Sequence, residues 1–185
     1  MDLLIVFIAL GIGIGTIIIM VSLLYHAIFH APFVPTKNQV VRQMIRAAKL
    51  KDGQRVYDLG SGDGRLLIEA MREKKVKATG VEIAWLVSLL ARIRMLFSKK
   101  KYTLLNSNFF RLDLKDADVI FCYLFPRIMK KLKSKFEKEL IKGTKIVSYC
   151  FPIKEWQPVQ TIQTRADKPK NFLIFVYEIP KCHEK

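Results

Sequence analysis

Asp58-Leu59-Gly60-Ser61-Gly62-Asp63-Gly64-Arg65 decides the fold. The apolar pair Val56-Tyr57 precedes it, and Leu66-Leu67-Ile68-Glu69-Ala70-Met71 follows with a helical pattern. The stretch therefore predicts a strand, a tight glycine turn and a helix. Glycines at alternate positions behind a strand-end carboxylate let the backbone pass close to a ligand. A dinucleotide fingerprint, G-x-G-x-x-G, would need glycine at Arg65, but the third glycine stands one place earlier, at Gly64. The pattern is acid-x-G-x-G-x-G.

A second carboxylate extends the reading. Lys77-Ala78-Thr79-Gly80-Val81-Glu82 predicts the next strand, ending in Glu82. Two acidic strand ends one βαβ unit apart suit a nucleoside: the first turn holds the ligand's middle and the second acid accepts the ribose hydroxyls. Read alone, the turn could be an ordinary βα connection and Glu82 a solvated strand end. The turn contains no phosphate-binding lysine.

Strand and helix then alternate. Strands are expected at 55–59, 76–82, 102–106, 118–124 and 145–150, with helices at 64–73, 85–97 and 126–140. The helix at 85–97 should turn Leu86, Leu89, Leu90, Ile93 and Leu96 inward. Strands at 159–164 and 171–178 lie too close for a helical crossover and should form an antiparallel hairpin. Upstream, Thr36 and Gln39 have capping-box spacing for a helix carrying Val40, Val41, Met44, Ile45, Ala48 and Leu50, with Asp52-Gly53 ending it. The fold class is α/β: a doubly wound, mostly parallel seven-stranded sheet with a C-terminal antiparallel hairpin.

Leu3 to Tyr25 contains no charged residue. As a helix it would span about 34 Å, enough for a bilayer core. It is too apolar all round for a core helix and too long for a signal peptide. One transmembrane helix is therefore expected. Gly11 and Gly15 form a small-xxx-small pair that could admit another helix. Every lysine and arginine follows this segment, which puts the C-terminal domain on the cytoplasmic side of a single-pass protein. The expected organisation is an anchor over 1–30, a linker and first helix over 31–50, the catalytic domain over 51–180 and a tail over 181–185.

The net charge of +16 fits a solvated basic surface, an anionic membrane surface or nucleic acid. With an anchor present, lipid ranks above nucleic acid. Lys99-Lys100-Lys101 and the run Lys130–Lys135 lack the aromatic interleaving of a base-stacking platform. Cys122, Cys150 and Cys182 show neither disulfide nor metal spacing, and no metal is expected. Cys122 and Cys150, in apolar strand patterns, are expected to be reduced core residues.

The acid-x-G-x-G-x-G turn with its second acid resembles class I methyltransferases that use S-adenosylmethionine. Further motifs narrow the resemblance: Pro32-Phe33-Val34-Pro35-Thr36, Gly80-Val81-Glu82, Asn108-Phe109-Phe110, Ala117-Asp118-Val119 with Tyr123-Leu124, Gly143–Ser148 and Phe151. With the N-terminal anchor, the series resembles a family of small protein-lysine N-methyltransferases. That family includes mitochondrial enzymes acting on the ATP synthase c subunit and the adenine nucleotide translocase, and archaeal enzymes of broad specificity. The likeness runs from Pro32 to Trp156. It implies that Asp58, Gly60, Ser61, Gly62 and Gly64 surround the methionine part of S-adenosylmethionine. Glu82 would hold the ribose, and Asn108 would lie near the adenine. Phe33, Pro35 and Thr36 would form the substrate entrance. Tyr123, the candidate catalytic residue, would border the transferred methyl. Two departures stand out. Lys37 replaces an expected proline, and Ile83-Ala84-Trp85 replaces a polar residue and proline after the ribose acid.

The implied partner is a membrane-associated protein with a target lysine. Only about six residues join the apolar segment to the helix near Thr36, a reach of ~20 Å at most. A membrane lipid or quinone remains an alternative acceptor, and RNA a further one. Tyr123-Leu124-Phe125-Pro126 differs from the Asn/Asp-Pro-Pro-aromatic motif of base-amino methylation. Cys122 lacks the preceding proline expected of a cytosine C5 nucleophile.

Overall fold

The computed structural model describes residues 3–29, 34–165, 167–168 and 171–180, without the side chains of 22–29. Phe33, Cys182 and His183 lie outside the described residues, as does most of the linker. Met1–Val34 and Pro35–Lys185 form two compact units.

In the first unit, α1 (Leu3–Phe29) contains a 19-residue stretch, Leu3–Val21, long and apolar enough to cross a membrane by length and composition. Its large apolar side chains are exposed throughout that stretch. A helix with apolar residues on every side suits a lipid surround.

The second unit is built on a seven-stranded sheet. Its strands are β1 (Arg55–Leu59), β2 (Lys77–Val81), β3 (Thr103–Leu105), β4 (Val119–Cys122), β5 (Lys145–Tyr149), β6 (Gln160–Gln163) and β7 (Leu173–Glu178). They lie in the order β3-β2-β1-β4-β5-β7-β6. The first five are parallel, while β7 runs antiparallel between β5 and β6. The expected doubly wound sheet and its closing hairpin are both present. Order reverses between β1 and β4, and ligands of such sheets bind at the carboxyl ends beside that switch point.

Strand alternation sends side chains to two cores. Val56, Phe121 and Val147 face one, with α2 (Asn38–Ala48) and α3 (Arg65–Glu73). Leu59, Ile120 and Ile146 face the other, with α5 (Pro126–Glu139). All four residues of β4 are buried, as a central parallel strand requires.

Three local expectations are corrected. The Thr36–Gln39 capping box does not form. Lys37 is the cap residue, and its carbonyl accepts from Val40 and Val41 at 2.9 and 3.0 Å. Thr36 stays outside because its own carbonyl accepts from Arg65 Nη1 at 2.7 Å. Nor does Asp52-Gly53 end α2. The helix stops at Ala48, with Lys49 left-handed at φ 50°. Asp52-Gly53 instead ties to the start of β2, where Gly53 N–H donates to the Lys75 carbonyl and Lys75 N–H to Asp52 Oδ1, both at 2.8 Å.

The third correction concerns α4 (Trp85–Ser98). Its buried residues are Val87, Ser88 and Ala91, whereas Leu89, Leu90, Ile93 and Leu96 are exposed and Leu86 is half-buried. The small side chains face inward and allow close approach, so that Tyr102 Oη donates to the Ala91 carbonyl at 3.2 Å.

Candidate active site

The glycine turn leaves β1 and crosses to the end of β2. Gly60 and Ser61 N–H donate to the Val81 carbonyl at 2.8 and 3.1 Å. Gly60, Gly62 and Gly64 all have positive φ, at 80°, 56° and 73°. At Gly64 a side chain would also land on the Tyr102 hydroxyl. Register aligns Asp58 with Gly80 of β2 and Phe121 of β4. Asp58, Glu82 and Tyr123 are thereby carried to the same carboxyl edge.

Glu82 faces the turn. Its Oε2 accepts from Gly62 N–H at 3.1 Å and its Oε1 from Ala84 N–H at 2.9 Å. The backbone behind it is held by Asn106, whose Nδ2 donates to the Glu82 carbonyl at 2.8 Å and the Ile83 carbonyl at 3.2 Å. Asn106 was not singled out from sequence. Its signal was an amide at the end of β3, next to the β2 loop.

Charge in the turn is unbalanced. Asp58 is buried and, among the described residues, pairs with no cation. Burial, then the charges of Glu82 and Asp63, push its carboxyl up to about 8. Asp63 behaves oppositely. Burial raises it, but Arg65 hydrogen bonds and the charges of Arg65 and Arg94 outweigh burial and hold it below the usual range. Arg65 Nη2 and Arg94 Nη2 approach Asp63 Oδ2 at 2.7 and 2.8 Å. Arg65, which breaks the dinucleotide fingerprint, thus clamps the turn and binds the Thr36 carbonyl. Ser61 Oγ is buried and has no partner among the described residues.

These features fit the cofactor expected from the sequence. Among the described residues the buried Asp58 carboxyl has no cation beside it, and Glu82 presents its carboxylate to a turn with little side-chain bulk. S-Adenosylmethionine carries a positive charge, donors and a ribose diol to meet them.

Beyond the turn stands an aromatic cluster. Tyr123 follows β4 and Tyr149 ends β5, their ring centroids 4.9 Å apart. Phe151 stacks 6.1 Å from Tyr123, with Phe125 5.7 Å from Phe151. Cys150, at φ 65°, turns the chain between Tyr149 and Phe151; it is half-buried and free rather than a strand core residue. Cys122 is free and fully buried, and burial pushes its thiol up to about 12. Burial first, then Cys150, raises the Tyr123 hydroxyl. The Tyr149 hydroxyl is pushed up to about 12, chiefly by burial. The turn and this cluster adjoin: a Cβ on Gly60 would lie 3.1 Å from Leu124 Cδ2. Tyr149 was missed as a site residue, because a strand-end tyrosine reads equally as core.

The remaining candidates divide. Thr36 is half-buried and tied to the turn through Arg65, whereas Pro35 is exposed. Phe33 lies outside the described residues. Asn108 is exposed and caps a short 3-10 turn, its Oδ1 accepting from Phe110 N–H at 2.9 Å. Among the described residues its amide nitrogen has no protein acceptor.

Comparison with known proteins identifies the family. Residues 58–160 match the family described as the ANTKMT methyltransferase domain. A protein-lysine N-methyltransferase of Saccharolobus islandicus (strain REY15A) is 39% identical over 153 residues, covering 81% of this chain and 94% of that relative. The adenine nucleotide translocase lysine N-methyltransferase of Mus musculus is 30% identical over 140 residues, 74% of this chain but 60% of that relative. Among solved structures, an RNA methyltransferase from Salinibacter ruber in complex with S-adenosyl-L-homocysteine superposes with a TM-score of 0.74 and 29% identity, covering 80% of this chain and 95% of that one. The chain therefore belongs to the ANTKMT methyltransferase-domain family.

Proposed function

We propose that this protein transfers methyl from S-adenosylmethionine to the ε-amine of lysine in a membrane-associated protein. The observation that carries the reading is the meeting, at one sheet edge, of the acidic glycine turn with the aromatic cluster of Tyr123, Tyr149 and Phe151. Relatives named as protein-lysine N-methyltransferases support it.

Bound at the turn, S-adenosylmethionine supplies an electrophilic methyl group on a sulfonium. Asp58 and Ser61 would hold the methionine part, Glu82 the ribose and Asn108 the adenine side. Tyr123, Tyr149 and Phe151 would wall the lysine channel. A free lysine amine has a pKa of about 10.4, and dry aromatic walls favour its neutral form. Transfer to the neutral amine would form the N–C bond as the S–C bond broke. Water takes the amine proton, because Tyr123 and Tyr149, with raised pKa values, stay protonated near neutrality. Alignment at near-attack distance can lower such a barrier by about 7–11 kcal/mol.

We assign α1 as a single-pass anchor with the catalytic unit on the cytoplasmic side, on the distribution of basic residues. Pro35 and Thr36, with Phe33, are assigned to the substrate entrance. The test is incubation of the full chain with methyl-labelled cofactor and host membranes, followed by separation of protein, lipid and RNA. Label in protein is expected, lost on Asp58→Ala. Label confined to lipid would replace the acceptor with a membrane small molecule, and label confined to RNA would move the reading to the Salinibacter neighbour's acceptor.

A further inference from the structure

We propose that the exposed face of α4 docks the catalytic unit onto an anionic lipid surface. The inference rests on the membrane-anchored reading above and adds a second, in-plane contact. Leu96 is 79% exposed, Phe97 85% and Trp85 54%, with Leu89, Leu90 and Ile93 exposed beside them. At ~100° per residue, these six fall within an arc of about 140°. Val87, Ser88 and Ala91 occupy the opposite, inward side. Surface leucines scattered singly need no explanation, but a continuous stripe along a whole helix marks an interaction surface.

Charge identifies the occupant. Arg92 borders the stripe on one side, and Lys99-Lys100-Lys101 follows the helix directly, while Arg94 on the other side is already paired with Asp63. Between Glu82 and Asp113 the chain has no acidic residue and six basic ones: Arg92, Arg94, Lys99, Lys100, Lys101 and Arg111. An apolar face edged by arginine and lysine is the pattern of helices that lie in a membrane interface, with side-chain stems buried and charges at the headgroups. A second copy of this chain is a poor occupant, because it would bring the same cations to the contact. RNA would leave the apolar centre unsatisfied. Tethering by α1 would raise the effective concentration of α4 at the bilayer, so even a weak contact would be occupied.

The chain's two tryptophans provide the probe. Trp85 lies on the α4 face; Trp156 is half-buried and packs edge-on against Tyr177 at the core on the other side of the sheet. Trp156→Phe leaves Trp85 as the sole reporter, and Trp85→Phe leaves Trp156. Each full-length variant is reconstituted in phosphatidylcholine vesicles containing about one-third phosphatidylglycerol, with or without bromine on the acyl chains. Brominated lipid is expected to quench Trp85 at least about twofold and to leave Trp156 nearly unchanged. Adding Leu96→Glu and Phe97→Glu to the Trp85 reporter should abolish the difference without changing cofactor affinity. Trp85 emission indifferent to bromine would overturn the proposal, as would equal quenching in purely neutral vesicles. So would protection of Trp85 accompanied by dimers that persist in detergent, which would assign the face to a second copy. An alkaline carbonate wash, applied after the fluorescence is read, tests the anchor separately. Retention with unquenched Trp85 removes only the α4 contact; loss on washing removes the anchor, while the quenching still decides α4.

Discussion

Asp58 links chemistry to stability at a single residue. Its carboxyl is raised from an ordinary value of 3.8 to about 8, chiefly by burial. A raised acid binds its proton more tightly in the folded than in the unfolded chain. Its contribution is therefore intact below pH ~4 and is lost as pH rises towards 8. In cofactor-free protein, wild type should lose thermal stability relative to Asp58→Asn across that window; parallel pH profiles of the two would contradict the assignment. Cofactor binding should strengthen over the same interval, because the ionised carboxylate is the better partner for a cation. Glu82→Gln should weaken cofactor affinity roughly ten- to hundredfold, as expected when hydrogen bonds to a charged group are lost. Calorimetric titration reads it directly, and an unchanged affinity would exclude Glu82 from the ribose role. Asp58 and Glu82 were legible because each ends a short apolar strand. Asp63, Arg65 and Arg94 were not legible as a cluster, since their pairing joins the turn to a helix about thirty residues away and no local pattern encodes it.

At the scale of elements, the glycine turn and α4 make opposite points. Gly64 combines φ 73° with a neighbour, Tyr102, that occupies the space of a side chain. Gly64→Ala should cost about 1–3 kcal/mol in chemical denaturation, with part of it recovered by Tyr102→Phe. That requirement could be read from three glycines behind a strand. The packing face of α4 could not. Hydrophobic spacing tells which positions are apolar, but here apolar residues cover more than one side, and the sheet selected the small ones. Ala91→Leu should therefore destabilise by about 1–3 kcal/mol through overpacking. Leu96→Gln should stay within about 0.5 kcal/mol. Reversal of these two outcomes would restore the leucine stripe to the core. The start of α2 shows a similar limit: capping-box spacing at Thr36 and Gln39 was present, but Arg65 holds the Thr36 carbonyl and Lys37 takes the cap.

At the scale of the molecule, the alternation of strands and helices specified the sheet and its closing hairpin, because parallel strands need crossovers and β6–β7 had no room for one. The switch point between β1 and β4 then placed the acids and the aromatic cluster at one edge. The proposed work at a membrane draws on the basic excess and the apolar α1. Methylation of membrane-held substrate should accordingly slow as ionic strength rises, with initial rates on anionic vesicles falling more than those on neutral ones. The claim that joins these observations is that the edge delivers methyl to a lysine amine. The measurement that tests it most directly is tandem mass spectrometry of host membrane proteins after reaction with deuteromethyl cofactor, comparing wild type with Glu82→Ala. The account predicts deuterated methyl on a lysine Nζ, present with wild type and lost in the variant. Deuterated methyl found only on other side chains, or only on lipid or RNA while the enzyme turns over cofactor, would contradict it.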